Sequence, residues 1–241
     1  MAGSDWDLSA QAWIASMGER GDWMREHVLD PAMTKRLSGR GYRKALDVGC
    51  GEGRLCRLLG SLGIASIGID PTARLIEEAV KRDPGGQYQV GSAHDLPFDN
   101  ASFDLVVSCF SLIDIADYKT AIGQMARVLA PGGVLVIANL NSFVTVPTQD
   151  EARERWVYGD DGRRAHFRFD HYLDEAVNHE EWAGIAITNY HRPLSAYMKA
   201  LIGQGLQLTY FDEPEPVSGE PAKVEKYRRV PYALLMEWQK S

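Results

Sequence analysis

Apolar and polar positions follow two different periods along this chain, and the switches between them mark its elements. Short apolar runs at 44–48, 65–69, 87–91, 103–108 and 134–140 read as buried strands. Between them the spacing changes. Leu55, Leu58, Leu59 and Leu62 fall on one face of a helix over 54–62, and Ile122, Met125, Ala126 and Leu129 do the same over 117–129; a further helix is expected over 72–82. Strands alternating with helices predict an α/β domain with a doubly wound, mainly parallel sheet. Before this core, residues 5–29 read as one or two amphipathic helices that Asp30-Pro31 brings to an end. After residue 140 the alternation breaks. Residues 141–190 read as a β-rich insertion, with Trp182 to Tyr190 as one of its strands. The core resumes with a helix over 193–203 closed by Gly205, a strand over 206–211, an acidic then basic loop from Asp212 to Arg229, and a strand from Val230 to Trp238. The expected divisions are therefore an N-terminal helical segment (1–40), the core (41–140), the insertion (141–190) and the C-terminal part of the core (191–241).

Composition narrows the function classes. A chain of 241 residues suits one α/β domain with an elaboration, and no apolar stretch reaches the length of a membrane span. Acids outnumber bases, 33 against 26, for a net charge of −7, which disfavours a phosphate backbone as partner. The first ten residues carry Asp5 and Asp7 and no basic apolar leader, so no export signal is expected. The cysteines, Cys50, Cys56 and Cys109, lack C-x-x-C spacing, which excludes a disulfide framework or a zinc site; a reducing cytoplasm and no metal are expected.

The stretch with the densest chemistry is Ala45-Leu-Asp-Val-Gly-Cys-Gly-Glu-Gly-Arg54. An apolar strand carrying Asp47 runs into glycines at 49, 51 and 53, and a helix starts at once. Glycines there permit positive φ and close approach of a ligand to the main chain, and the open N–H groups of the helix start favour an anionic group. Arg54 stands where a dinucleotide fingerprint needs its third glycine. The pattern resembles motif I of the class I S-adenosylmethionine (SAM) methyltransferases, D-x-G-x-G-x-G. Gly68-Ile-Asp70 resembles their motif II, Ser92-Ala-His-Asp-Leu-Pro-Phe98 their G-D-A-x-x-L-P-F segment, Phe103-Asp-Leu-Val106 their F-D-x-V signature, and Arg127-Val-Leu-Ala-Pro-Gly-Gly133 their R-V-L-x-P-G-G turn. This is the type 11 family, which includes the ubiquinone and menaquinone C-methylases.

The resemblance implies a Rossmann-like seven-stranded sheet in the order 3-2-1-4-5-7-6 with strand 7 antiparallel, and SAM as cofactor. It implies cofactor contacts from Asp47, Gly49, Cys50, Gly51, Asp70, Pro71, Ser92, Ala93, His94 and Cys109. Asp70 either takes the ribose hydroxyls or caps the helix that follows. Ser92 replaces the acid that usually meets the adenine amine. Trp13 either staples an N-terminal helix to the core or belongs to a lid over the cofactor, and 141–190 would be a cap lining the substrate pocket. Past the fourth strand, Asp114 is either a loop acid or a polar contact to substrate. His191, where insertion meets core, is either a general base or a hydrogen-bonded hinge. The arginines at 153, 155, 163, 164 and 168 are either a salt-bridged face or a greeting for an anionic molecule. The expected function is methyl transfer by in-line displacement to N, O or C of a small-molecule acceptor. The alternatives are a methyltransferase acting on tRNA or protein, or a SAM-binding protein without turnover. Neither a membrane nor a nucleic-acid partner is expected, and monomer and homodimer are both open.

Overall fold

The computed structural model describes residues 5–147 and 155–241. In chain order the elements are α1 (Asp5–Met17), a π-helical turn (Arg25–Leu29) running into α2 (Asp30–Leu37), β1 (Lys44–Val48), α3 (Arg54–Ser61), β2 (Ala65–Asp70), α4 (Ala73–Arg82), β3 (Gln87–Val90), β4 (Phe103–Cys109), α5 (Tyr118–Val128) and β5 (Leu129–Leu140). The insertion supplies α6 (Ser142–Thr145) and strands β6 (Trp156–Tyr158), β7 (Arg164–Phe167), β8 (Ala176–Trp182) and β9 (Ile185–His191). Then come α7 (Leu194–Gly203), β10 (Leu206–Asp212), α8 (Pro221–Arg229) and β11 (Ala233–Lys240).

Seven strands form one sheet in the order β10-β11-β5-β4-β1-β2-β3, with β11 antiparallel to both neighbours and the strands from β5 to β3 parallel. In core-strand numbers this is the expected 3-2-1-4-5-7-6. β1, β4 and β5 are buried on both faces, which is why their sequences read as near-continuous apolar runs. Leu46, Val106, Ile122, Met125, Leu135 and Trp238 fill one side of the sheet; Leu29, Met33, Leu37, Leu55, Leu59, Leu105 and Val136 fill the other.

Three local expectations are corrected. Asp30-Pro31 does not end a helix. Pro31 occupies the first turn of α2, where its missing N–H costs nothing, and Met33 and Leu37 pack onto the sheet. Arg36 then bonds the buried Glu237 of β11 at 2.6 and 2.8 Å, which pins α2 to the last strand. Trp182 to Tyr190 is two strands, because Ala183 and Gly184 both take positive φ and reverse the chain, pairing Trp182 with Ile185 and Asn178 with Asn189. The loop from Asp212 to Arg229 contains a helix that Pro221 opens in the same way as Pro31 opens α2. The Pro-Gly-Gly turn falls inside β5: its ladder pairs Phe103 with Leu129 and next Leu105 with Val134, so 130–133 bulge out of the sheet.

Candidate functional site

Doubly wound sheets bind ligands outside the carboxyl ends of their parallel strands. A cavity of about 1190 Å³ opens there. Its floor is the turn at 49–51 with Asp47, Asp70, Ser92 to His94 and Cys109 to Ser111; its roof is Trp6 and Trp13 of α1 with Asn178, Trp182, Ile187 and Asn189 of the β8–β9 hairpin. The insertion and the N-terminal helix thus close over the strand ends, and Ser9 of α1 ties to Ala186 of β9 in both directions, at 2.8 and 3.0 Å.

The glycines of the turn have different reasons to be glycine. At Gly49 (φ +80°) a Cβ would lie 2.3 Å from Ser111 Cβ, so a neighbouring loop forbids a side chain. Ser111 is held there by bonds to the Val48 carbonyl at 2.8 Å and to Ser108 Oγ at 2.6 Å. At Gly51 (φ +54°) a Cβ would meet only Trp13 Nε1, 3.9 Å away, so that side of the turn is open to the cavity. Alanine at 49 is therefore expected to cost several kcal/mol of stability, on the order of 3 or more, through overpacking and positive φ together. Alanine at 51 is expected to cost about 1–2 kcal/mol through φ alone and to impair ligand binding instead. Thermal unfolding and ligand titration of the two variants separate these effects; equal loss of stability would contradict the assignment.

Three carboxyls face this cavity with raised pKa values, burial being the largest cause in each. Asp47 is pushed up to about 7, against a bond from the Cys56 thiol at 3.5 Å and the field of Arg54, and its Oδ1 has no partner. Asp70 accepts from Gly51 N–H at 3.0 Å and Thr72 N–H at 2.9 Å; these bonds oppose the upward push of burial without cancelling it. Asp70 thus braces the glycine turn and holds Thr72, the residue before α4. Burial raises Asp114 well above the carboxylate range, despite a hydrogen bond from the Trp6 indole and the charge of Arg25. Its Oδ1 also lacks a partner. A buried carboxyl oxygen without a donor costs free energy until a ligand supplies one.

The other expected residues divide. Cys50, Pro71, Ser92, Ala93, His94 and Cys109 line the cavity. Ser92 Oγ accepts the His94 N–H and meets His94 Nδ1, both at 3.1 Å, so its hydroxyl is partly committed to a local turn. Burial pushes the Cys109 thiol up to about 11 and that of Cys50 up as well, which makes both poor nucleophiles. Trp13 donates to Glu52 at 3.0 Å, directly beside the glycine turn. His191 does not join this group. It is fully buried outside the cavity wall, with Nδ1 on Thr145 Oγ1 at 2.8 Å and Nε2 on the Tyr172 carbonyl at 2.9 Å, and burial lowers its pKa. Both ring nitrogens are occupied, as in a hinge. Among the arginines, Arg164 pairs with Glu225 at 3.4 Å and Arg163 with Asp161 at 3.9 Å; Arg155 faces the cavity; Arg153 lies outside the described residues.

Sequence reasoning missed Arg25, Glu52 and Asn189. Arg25 is sandwiched between the rings of Trp13 and Phe110, at 5.0 and 4.9 Å, and pairs with Asp22. Phe110 takes φ +54°, a conformation that costs a non-glycine residue about 1–2 kcal/mol and turns the chain sharply past β4. Asn189 contributes another unpartnered buried oxygen to the wall. The π-helical turn has no simple periodicity, so nothing in the sequence aimed Arg25 inward. Among the described residues no group of His, Cys, Asp or Glu is arranged to hold a metal ion, and no helix is long and apolar enough to cross a membrane.

Comparison with known proteins agrees with this geometry. Residues 46–137 match the model of a methyltransferase domain family. The malonyl-[acyl-carrier protein] O-methyltransferase of Salmonella typhimurium is 28% identical over 79% of this chain and 75% of its own length. The demethylmenaquinone methyltransferase of Staphylococcus carnosus is 37% identical over 56% of this chain and 55% of its own length. An S-adenosylmethionine dependent methyltransferase of known structure from Mesorhizobium loti superposes with a TM-score of 0.75 at 25% identity, covering 87% of this chain and 96% of that one.

Proposed function

We propose that this chain, an S-adenosylmethionine-dependent methyltransferase, methylates a nucleophilic O, N or C of a small anionic molecule, with Asp114 receiving the proton of the reacting group. The observation that carries this is the Asp114 carboxyl, buried in the cavity wall with one oxygen unpartnered.

The residues present fit SAM. The open face of Gly51 is a cradle that any side chain would fill, and the unpartnered Asp47 Oδ1 suits an ammonium group. Asp70, which accepts from two N–H groups and the Thr72 hydroxyl, keeps a lone pair for a ligand hydroxyl. When bound, SAM supplies a methyl group on a positively charged sulfur that leaves as a neutral thioether. The chain's own part is to hold the acceptor, exclude water and take up a proton. Trp6, Trp13 and the β8–β9 hairpin exclude water. Asp114 takes up the proton in its ionised form, which burial disfavours in the ligand-free chain and which the positive charge of bound SAM would favour. Arg155 is half-buried in the wall, its pKa lowered by burial, and no described carboxylate pairs with it; it donates to the Val146 carbonyl and supports an anionic group on the acceptor. The relatives that methylate an acyl-carrier-bound malonyl group or a quinone precursor are consistent with a non-polymeric acceptor group.

Cofactor binding should carry a proton signature. In the ligand-free chain Asp47 titrates near 7, far above its unfolded value of 3.8, so the folded state holds a proton that the unfolded state has lost. Its contribution to stability therefore falls as pH rises from about 4 to about 7. An ammonium placed against Asp47 reverses the shift, so SAM binding near pH 6 is expected to release about one proton. Calorimetry in two buffers of different ionisation enthalpy measures it; identical heats would contradict the Asp47 assignment.

The acceptor class is tested by turnover on small hydroxy- and amino-carboxylates against neutral analogues, tRNA and protein. Activity on anionic small molecules that drops when Arg155 becomes Met is expected. Activity confined to tRNA and lost steeply with added salt would overturn the reading.

A further inference from the structure

The buried group that the chemistry above does not use is Arg192. It is 3% exposed, and no described carboxylate pairs with it. Nη1 donates to the Leu112 carbonyl at 3.1 Å and to Tyr197 Oη at 3.4 Å; Nη2 donates to the carbonyls of Ile115 at 2.7 Å and Ala116 at 2.9 Å. The guanidinium lies over the rings of Tyr118 at 4.3 Å, Tyr190 at 4.8 Å and Tyr197 at 6.0 Å. Two residues earlier, Tyr190 N–H donates to the Ile113 carbonyl at 2.7 Å. The carbonyls on both sides of Asp114 are thus held by one short stretch, 190–192.

We propose that Arg192 is a positioning residue for Asp114: its fork fixes the 112–116 backbone so that the carboxyl is presented to the cavity, and it links that loop to the β8–β9 hairpin. This rests on the reading of Asp114 as the proton acceptor. An unpaired buried cation is costly unless every N–H is served. Here ring faces from three elements and backbone carbonyls serve it, and the carbonyls belong to a loop that makes few other bonds: Asp114 N–H donates to the Ser111 carbonyl at 3.0 Å. A planar fork can reach several carbonyls at fixed separation, which a lysine ammonium cannot. The stretch it grips is informative as well. Residues 190–192 form the end of β9 and the first residue beyond it, on the way into α7, so any shift of the hairpin over the acceptor is felt at 112–116. Arg192 acts through the backbone, not by its own field. The groups that face Asp114 are the Trp6 indole from α1, Arg25 from the π-helical turn and Asp70 from β2, and the phenol of Tyr197 from α7 feels its charge.

The test of positioning needs no acceptor; only its separation from the proton reading uses turnover. Asp114 is titrated by carbon-13 NMR of its carboxyl, assigned by its disappearance in Asp114→Asn, and amide exchange is followed at 112–116. In the wild-type chain Asp114 is expected to titrate above the ordinary carboxylate range with its loop amides protected. In Arg192→Met the midpoint is expected to fall by about one pH unit or more as water reaches the carboxyl, and exchange to quicken at least about tenfold. Arg192→Lys, which retains the charge without the fork, is expected to show an intermediate change, and it carries the test if the methionine variant does not fold. An unchanged midpoint and unchanged protection in either folded variant overturns the proposal. If both move but Asp114→Asn keeps full turnover, the proton reading fails while the positioning of the loop stands.

Discussion

Asparagine in place of Asp114 is expected to lower turnover by about 10²–10⁴-fold while leaving SAM affinity unchanged. The substitution is nearly isosteric and keeps the Trp6 contact available, but it cannot take up a proton. Burial holds the Asp114 carboxyl well above 3.8, so in the wild-type chain the active, ionised form is lost as pH falls through that raised value. Turnover should therefore drop on the acid side, and this limb should vanish in the variant. Retained turnover, or an acid limb that persists, would remove Asp114 from the chemistry. His191 would not replace it: both of its ring nitrogens are bonded inside the protein, and burial lowers its pKa.

Alanine in place of Asp70 is expected to weaken SAM binding by at least tenfold and toward a hundredfold, by net loss equivalent to one charge-assisted hydrogen bond of about 1.5–3 kcal/mol. The effect has two sources. One is the lost acceptor for ligand hydroxyls. The other is the glycine turn, whose Gly51 N–H would lose its 3.0 Å partner and its fixed orientation. Asp70→Asn keeps an acceptor for that N–H and should lose less. Asparagine and alanine falling equally would assign the effect to the charge; unchanged affinity in both would remove Asp70 from the site.

Much of the core was legible because both-face burial and glycine chemistry leave strong local marks. β1, β4 and β5 are mostly apolar since the sheet is covered on both sides, and the strand order followed from the motif series. Asp30-Pro31 misled because proline breaks a helix interior but suits a first turn, and composition alone does not say which side of it is helical; the charged stretch from Asp212 to Arg229 hid a helix that has Pro221 in its first turn. The Ala183-Gly184 reversal was hidden because alanine rarely takes positive φ. At the site, the residues near the glycine turn could be read from spacing. Arg25, Asn189 and Arg192 could not, because their inward aim depends on a π-helical turn, a hairpin register and a loop 77 residues away from Arg192 in sequence. Histidine drew attention at 191 by its ordinary pKa, whereas the cavity instead surrounds an acid whose pKa is altered by burial, a property that only packing creates.

The first measurement is a calorimetric titration of the full chain with SAM, and separately with NADH. Micromolar SAM binding with proton release near pH 6, and no heat with NADH, is the expected result. NADH binding, or SAM that fails to bind while the chain is folded, would contradict the assignment of the cavity at the strand ends.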